Sequence, residues 1–283
     1  MDMKFAPMKE LLDLAEEKGI AYGAFVTVSY DSALAAIEAG SELNVPVIFI
    51  TGTDCCDLMG GFEGTVETVK RAAANTLVPI ALHLDHCRTY EECVAAINAG
   101  YSSVMIDGSS LPFEENIAIT RKVVEYAHPL GITVEGELGK LVGEEGDLIV
   151  KGPEAAQTDP EEARIFVEKT GVDCLAVSIG TQHGAYVAAP HLNIPRLQAI
   201  RKVVNVPLVL HGGSGTPVDQ VQESIRNGIR KINVATDVIT AMVKKYNEVT
   251  QVPGFKYNTA IYPQVKDAMK ELIKEKMNQF RFQ

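Results

Sequence analysis

Eight short runs of apolar and β-branched residues alternate with helical patterns along the 283 residues of the chain. Apolar runs of this length are typical of parallel strands that are buried on both faces. The runs span residues 23–29, 46–51, 79–86, 102–109, 132–139, 173–180, 207–213 and 230–236. Eight such units predict an α/β fold with a single (β/α)8 TIM barrel, because an open doubly wound sheet normally has fewer strands and a glycine-rich turn after its first strand.

Helix start and stop signals lie between these runs. We expect helices to begin after Asp31 and Thr89, and a further helix to begin at the Thr158-Asp159-Pro160 sequence. Four glycines are expected to end helices in a left-handed cap: Gly40, Gly100, Gly171 and Gly228.

The two ends of the chain also have helical patterns. The pattern predicts an N-terminal helix within residues 1–19 and a C-terminal amphipathic helical extension after Thr250. No linker or low-complexity segment divides the chain, so residues 1–283 are expected to form one domain.

The composition argues against several classes of partner. The net charge of -11 disfavours nucleic-acid binding, because contacts to phosphates need clustered Lys and Arg side chains. No apolar stretch has the length of a membrane span, and the N-terminus lacks the apolar core of a signal peptide, so we expect a cytoplasmic protein without membrane contact. The five cysteines show no CxxC spacing and are expected to be reduced.

Three histidines lie at or just after the ends of predicted strands: His86, His183 and His211. The ends of parallel strands meet at one rim of a barrel, so these side chains are expected to gather there. Imidazole suits zinc and other divalent transition metals, and three protein ligands with one open position are the arrangement of catalytic zinc. The alternative is three unrelated core histidines, each satisfied by hydrogen bonds.

Carboxylates are also expected at this rim of the barrel. Asp107 and Glu137 are expected either to bind metal near the histidines or to hold the histidine rings through hydrogen bonds. Asp85 is the best acid/base candidate, whereas His83 is expected to hydrogen bond within the barrel. In the glycine-spaced acidic segment GKLVGEEGD, Glu145 is a candidate base on a lid, and a solvated charged loop is the alternative.

Two segments near the last strands suit a phosphate group. Residues 212–215 form a glycine-rich turn, and residues 233–236 end the eighth run, where TIM barrels often bind phosphate through backbone amides. A divalent metal, a phosphate site and separate carboxylates suit the loss of a proton or a carbon substituent next to a carbonyl. A Schiff-base lysine is disfavoured, because Lys231 is the only lysine in the predicted strands and is expected at the opposite rim.

Seven motifs resemble those of the class II, zinc-dependent ketose-bisphosphate aldolases, and they occur in that family's order between Ala21 and Asp237. They are HLDH at 83–86, SVMIDGSSLPFEEN at 103–116, VEGELG at 134–139, TDP at 158–160, GTQHG at 180–184, LHGGSG at 210–215 and KINVAT at 231–236.

The resemblance implies a role for each candidate residue. It identifies His86, His183 and His211 with the zinc ligands, and Asp107 and Glu137 with ligands of an alternative metal position. Asp85 resembles the proton donor, and Glu145 the loop glutamate that transfers a proton at the ketone-side carbon. The residues that resemble the dihydroxyacetone-phosphate contacts are Gly184, Gly212, Gly213, Ser214, Asn233, Val234, Ala235 and Thr236.

The reaction implied by the resemblance is reversible cleavage of a ketose 1,6-bisphosphate to dihydroxyacetone phosphate and an aldehyde such as glyceraldehyde 3-phosphate. A monovalent cation such as Na+ or K+ near the phosphate and a homodimer or homotetramer are also implied. The NVAT sequence at 233–236 resembles the tagatose type more than the fructose type, which has an aspartate at the position of Ala235.

Three positions depart from the family pattern. Val26 lies where many members of the family have an asparagine, and Cys87 lies where glycine is common. Gly146 replaces an acidic residue of the family pattern. A different ketose phosphate or aldehyde is therefore one alternative, and a metal-dependent sugar-phosphate isomerase is another.

Overall fold

The barrel is built from parallel strands that each overlap one predicted run. In this computed structural model, the described residues are 4–139, the backbone of 143–145 and 148–150, and residues 157–182, 184, 190–252 and 259–283. The barrel strands are β1 Tyr22–Val26, β2 Val47–Thr51, β3 Ile80–Cys87, β4 Ser103–Ile106, β5 Thr133–Leu138, β8 Cys174–Val177, β9 Leu208–Leu210 and β10 Ile229–Val234. They close in the order β1-β10-β9-β8-β5-β4-β3-β2, which confirms the predicted TIM barrel.

A short antiparallel hairpin, β6 Gly143–Glu145 and β7 Leu148–Val150, lies where the sequence predicted a loop after the fifth strand. The described helices are α1 Met8–Lys18, α2 Tyr30–Leu43, α3 Thr53–Leu58, α4 Gly61–Ala72, α5 Tyr90–Ala99, α6 Phe113–Ala127, α7 Pro160–Thr170, α8 Ile194–Val203, α9 Val218–Arg226, α10 Thr236–Thr250 and α11 Ile261–Gln279. None of these helices is long and apolar enough to cross a lipid bilayer.

The two terminal helices confirm the predicted additions to the barrel. Helix α1 buries Met8, Leu11, Leu12 and Ala15, and it contacts β1, β3 and β10. Helix α11 packs its apolar face against α2 and α10. Lysines of α11 pair with two glutamates of α2: Lys266 with Glu38, and Lys270 and Lys274 with Glu42.

Most helix-end signals act as predicted. The Thr89 side chain accepts a hydrogen bond from the backbone of Glu92 at the start of α5, and Asp159 caps α7, whose first residue is Pro160. Gly100 and Gly171 take left-handed conformations at the ends of α5 and α7. These residues therefore set both ends of α5 and α7.

Helix α2 departs from the prediction at both ends. Ser29, rather than Asp31, caps its start through a reciprocal capping box with Ser32. Gly40 lies inside the helix, and the left-handed residue at its end is Asn44. A Cβ atom on Gly40 would lie 2.4 Å from Val47 Cγ2, so glycine serves close helix–strand packing here.

Gly40→Ala tests this explanation. Alanine favours a helix interior, but the added Cβ would also lie 2.8 Å from the Val45 carbonyl oxygen, which is backbone. We expect the substitution to lower the free energy of unfolding by about 1–3 kcal/mol in urea denaturation. The exposed Glu67→Ala variant in helix α4 is the control and should change it by less than about 0.5 kcal/mol. A stabilised Gly40→Ala variant would show that the close contact does not matter.

Candidate active site

Alternation along three barrel strands directs polar side chains into the barrel in pairs two residues apart. The pairs are His83 and Asp85 on β3, Glu135 and Glu137 on β5, and Lys231 and Asn233 on β10. The outer member of each pair lies nearer the carboxyl end of its strand, which is the rim where TIM barrels carry their active sites.

His86 and His211 meet two carboxylates at this rim. Their rings pack edge to face with centroids 4.6 Å apart. His86 Nδ1 lies 3.3 Å from Asp107 Oδ2, and His211 Nδ1 lies 3.4 Å from Glu137 Oε2. Glu137 Oε2 is also 3.8 Å from His86 Nδ1. The structure thus brings together four of the five predicted metal-binding residues.

A backbone irregularity lets two consecutive residues serve the same site. The register between β3 and β4 shifts between Leu84 and Cys87, and His86 has a φ of 48°. A positive φ is uncommon for a residue with a side chain and is often found at functional positions. Because of it, Asp85 and His86 both line the cleft, although alternation in a regular strand would direct them to opposite faces.

The residues of this cluster suit a divalent metal. Asp85, His86 and His211 form one group, and His86, Asp107 and Glu137 form another, with potential ligand atoms in each group within 4.8 Å of one another. Glu137 Oε2 is buried and makes no hydrogen bond to the described residues. Burial, and then the nearby Asp107, raise the pKa of Glu137. A bound cation would therefore offset the free-energy cost of burying the negative charge of Glu137.

His183 lies outside the described residues, so its position relative to the cluster stays a prediction. Its neighbour Gln182 lines the same cleft, as does Gly184. The backbone of Gln182 packs closely on the turn after β9, since a Cβ atom on Gly212 would lie 2.4 Å from the Gln182 carbonyl oxygen. The chain on both sides of His183 is thus at the cleft.

Asp85 is held by an amide. Asn233 Nδ2 lies 3.1 Å from each of the two Asp85 carboxylate oxygens. Burial acts to raise the pKa of Asp85, but the charges of His86 and then Lys231 outweigh burial and hold this pKa below its usual value. Asp85 is therefore a carboxylate at neutral pH and can accept a proton.

The predicted position of Lys231 at the opposite rim is wrong. Lys231 is the third residue of β10, and its side chain is fully buried inside the barrel with Nζ 2.9 Å from Glu135 Oε2. Glu135 Oε1 lies 2.8 Å from His211 Nε2. Burial opposes both charges, yet these contacts hold the pKa of Glu135 well below its usual range and raise the pKa of His211 to about 9.

A cleft of about 220 Å³ opens above this cluster. It is lined by Ile50, Asp85, His86, Gln182, Gly184, Gly212, Ser214, Asn233, Ala235 and Thr236. Helix α10 begins at Thr236, so its N-terminus faces the cleft. Ser214 Oγ accepts a hydrogen bond from the Asp237 amide, which joins the glycine-rich turn to the start of this helix.

Two of the predicted phosphate-binding residues do not line the cleft. The Val234 side chain is fully buried, as alternation along β10 requires when Asn233 faces inward. The Gly213 amide donates to the Asn233 carbonyl oxygen at 3.0 Å. Conversely, sequence reasoning did not select Ile50 or Gln182, which line the cleft.

The remaining candidates are placed only in part. Val26 ends β1 and is half-buried. The backbone of Glu145 ends strand β6, whereas its side chain and the whole of Gly146 lie outside the described residues. His83, as predicted, hydrogen bonds within the barrel, with Nδ1 2.7 Å from Ser103 Oγ.

A family model described as class II fructose-bisphosphate aldolase matches residues 6–283. The chain belongs to the class II fructose-bisphosphate aldolase family. Fructose-bisphosphate aldolases from Staphylococcus epidermidis and Staphylococcus aureus are each 40% identical to this aldolase over 281 residues, which cover 98% of both chains. The crystal structure of the YdjI aldolase from Escherichia coli K12 superimposes with a TM-score of 0.86 at 34% identity, and the match covers 98% of this chain and 97% of that one.

These similarities confirm the predicted enzyme class. The protein is a class II aldolase, a carbon–carbon lyase of carbohydrate metabolism. The cleft at the carboxyl rim is thus its candidate active site.

The pH dependence of stability tests the environment of His83. Burial, and then the Lys231 ammonium, lower the pKa of His83 from 6.5 to about 3. The unfolded chain therefore binds a proton that the folded aldolase does not bind between these pH values, so His83 makes stability fall as pH decreases from about 6.5 to about 3.

We expect His83→Gln to reduce the slope of unfolding free energy against pH in this window, measured by urea denaturation. The exposed His191→Gln variant is the control. Equal slopes for wild type and His83→Gln would show that folding does not lower the pKa of His83.

Proposed function

We propose that the aldolase catalyses metal-dependent, reversible cleavage of a ketose 1,6-bisphosphate of the tagatose or fructose type. The products are dihydroxyacetone phosphate and an aldehyde such as glyceraldehyde 3-phosphate. The observation that carries the proposal is that one cleft, lined by the ionised Asp85 and by the start of α10 beside a glycine-rich turn, opens above a histidine–carboxylate cluster.

We assign the main metal position to His86, His183 and His211, and the alternative position to Asp107 and Glu137. Zinc or another divalent transition metal suits these imidazole and carboxylate donors. When bound, the metal would polarise the ketone oxygen and stabilise the negative charge that develops there during cleavage. The buried Glu137 oxygen without a hydrogen bond among the described residues supports a cation at this point.

Asp85 accepts the proton of the C4 hydroxyl group as the C3–C4 bond breaks. The C4–O bond becomes the aldehyde carbonyl, and the electron pair of the broken bond stays with the dihydroxyacetone-phosphate half. Glu145 supplies the proton that completes this half at C3. The low pKa of Asp85 and its two contacts with Asn233 support its role, because they keep an ionised carboxylate in a fixed position.

The phosphate of the ketone half binds at Gly184, at the glycine-rich turn and at the end of β10. We assign to this site the predicted residues of these two segments that line the cleft, which are Gly212, Ser214, Asn233, Ala235 and Thr236. The partial positive charge at the start of α10 supports an anion here, despite the negative net charge of the chain. A monovalent cation such as Na+ or K+ completes the phosphate site.

The substrate epimer is assigned to the tagatose type on the NVAT sequence, where Ala235 replaces the aspartate of the fructose type. Val26 and Ile50 make two strand ends near the cleft apolar, which suits a change in the aldehyde half. We further propose that residues 1–283 form one catalytic domain and that the enzyme is a homodimer or homotetramer.

Cleavage of tagatose and fructose 1,6-bisphosphates, measured side by side by the release of dihydroxyacetone phosphate, tests this function. We expect metal-loaded enzyme to cleave tagatose 1,6-bisphosphate faster, and a chelator to abolish cleavage of both. Asp85→Asn should lower kcat by about 100- to 10,000-fold, because the proton acceptor is lost. Cleavage of neither substrate by metal-loaded enzyme would contradict the proposed substrate class.

The phosphate assignment is tested by Gly212→Ala. Gly212 has a φ of 67°, and a Cβ atom would press against the Gln182 backbone, so the turn must shift. We expect KM for the bisphosphate to rise about tenfold, a loss of about 1.4 kcal/mol in binding, and inhibition by inorganic phosphate to weaken.

Gly19→Ala is the matched control for this experiment. Gly19 also has a positive φ, of 63°, but its Cβ would meet nothing within 4 Å, and it lies at the end of α1. It should lower stability without changing KM. An unchanged KM in Gly212→Ala would place the phosphate elsewhere.

A further inference from the structure

A buried ion pair lies inside the barrel beneath the cleft, and the proposed reaction gives it no role. Glu135 and Lys231 are both 0% exposed. Removing two charges from water is costly, and well-packed apolar residues of similar volume would often give equal or greater stability. A role beyond stability would explain why this position holds charged residues.

Glu135 connects the pair to the metal cluster through His211. Its Oε1 lies 2.8 Å from His211 Nε2, while its Oε2 lies 2.9 Å from Lys231 Nζ. A carboxylate only accepts hydrogen bonds, so the proton of the ring must lie on Nε2. A ring that binds a metal carries only this proton, so its lone pair would lie on Nδ1, the atom that faces Glu137 at 3.4 Å.

The carboxylate of Glu135 has little freedom to rotate. The Cys174 thiol lies 3.6 Å from Oε2, and His83 Nε2 lies 3.7 Å from the same oxygen. His83 is itself fixed by its contact with Ser103. Lys231, Cys174 and His83 therefore enclose one carboxylate oxygen and direct the other at His211.

We propose that Glu135, held by Lys231, is a positioning residue that fixes the tautomer and ring orientation of His211 so that Nδ1 faces the metal. The inference rests on the proposed function, because it requires His211 to bind a divalent metal. Residues that hydrogen bond to a metal-binding histidine fix its tautomer and raise its basicity. Lys231 acts indirectly, because its Nζ binds Glu135 and Glu135 in turn contacts His211.

Metal affinity of the metal-free protein tests the proposal without relying on activity. Zinc affinity is measured by competition with a chromophoric chelator, and the visible absorption spectrum of the Co(II)-loaded protein reports ligand geometry. We expect Glu135→Gln to weaken zinc binding by about 10- to 100-fold and to change the Co(II) spectrum. Lys231→Met should weaken binding in the same direction, although it removes no metal ligand.

Thr51→Val is the control for a purely structural effect. Thr51 is as buried as Glu135, and its hydroxyl group makes a buried hydrogen bond to Tyr101 at 2.9 Å, but it does not contact His211. The substitution removes this hydrogen bond. We expect this variant to lose stability while it keeps the zinc affinity and the Co(II) spectrum of wild type. Circular dichroism and thermal unfolding identify the folded variants.

The double variant Glu135→Gln/Lys231→Met tests whether the two residues act together. If Lys231 acts through Glu135, the double variant should bind zinc no more weakly than Glu135→Gln alone, whereas additive losses would overturn the pairing.

Folded Glu135→Gln with wild-type affinity and spectrum would overturn the inference and leave the metal site intact. If Glu135→Gln does not fold, wild-type affinity in Lys231→Met would overturn it instead. A wild-type protein that binds no stoichiometric divalent metal would overturn the proposed function as well.

Discussion

The ion pair between Glu135 and Lys231 is the contact around which the polar interior of this barrel is arranged. Buried charges are tolerated only when they are paired and hydrogen bonded, and here each carboxylate oxygen of Glu135 has a separate partner. One partner is His211, which in turn faces Glu137. A chain of contacts therefore runs from Lys231 in the interior to the histidine–carboxylate cluster at the rim, and it allows ionisable side chains to replace part of the apolar filling of a TIM barrel.

Local backbone strain then brings the reacting groups to one cleft. The positive φ of His86 and the register shift beside it allow Asp85 and His86 to share that cleft, although they are neighbours in the sequence. On the opposite side of the cleft, Gly212 lets the turn after β9 approach the backbone of Gln182, which only a residue without a Cβ atom can do. The strain at His86 is retained because the surrounding parallel strands hold both sides of the cleft in place.

Sequence patterns predicted the strands and the rim but not every side-chain direction. Apolar, β-branched runs located all eight barrel strands, because strands buried on both faces leave a strong signal. Helix ends were less certain, as Gly40 shows: a glycine needed for close packing looks the same in sequence as one that ends a helix. Lys231 was predicted at the rim opposite the active site, but its side chain lies in the barrel interior beneath the cleft, because a long side chain can run inward along the barrel. The alternation that it shares with Asn233 was the available signal for its true direction.

The proposed reaction requires one cleft to hold both a divalent metal and the phosphate of the ketone half. A crystal structure of the zinc-loaded enzyme with dihydroxyacetone phosphate, with anomalous diffraction recorded at the zinc edge, tests it most directly. We expect an anomalous peak bound by His86, His183 and His211, and a phosphate between the glycine-rich turn and the start of α10. Zinc bound elsewhere, or a phosphate outside this cleft, would contradict it.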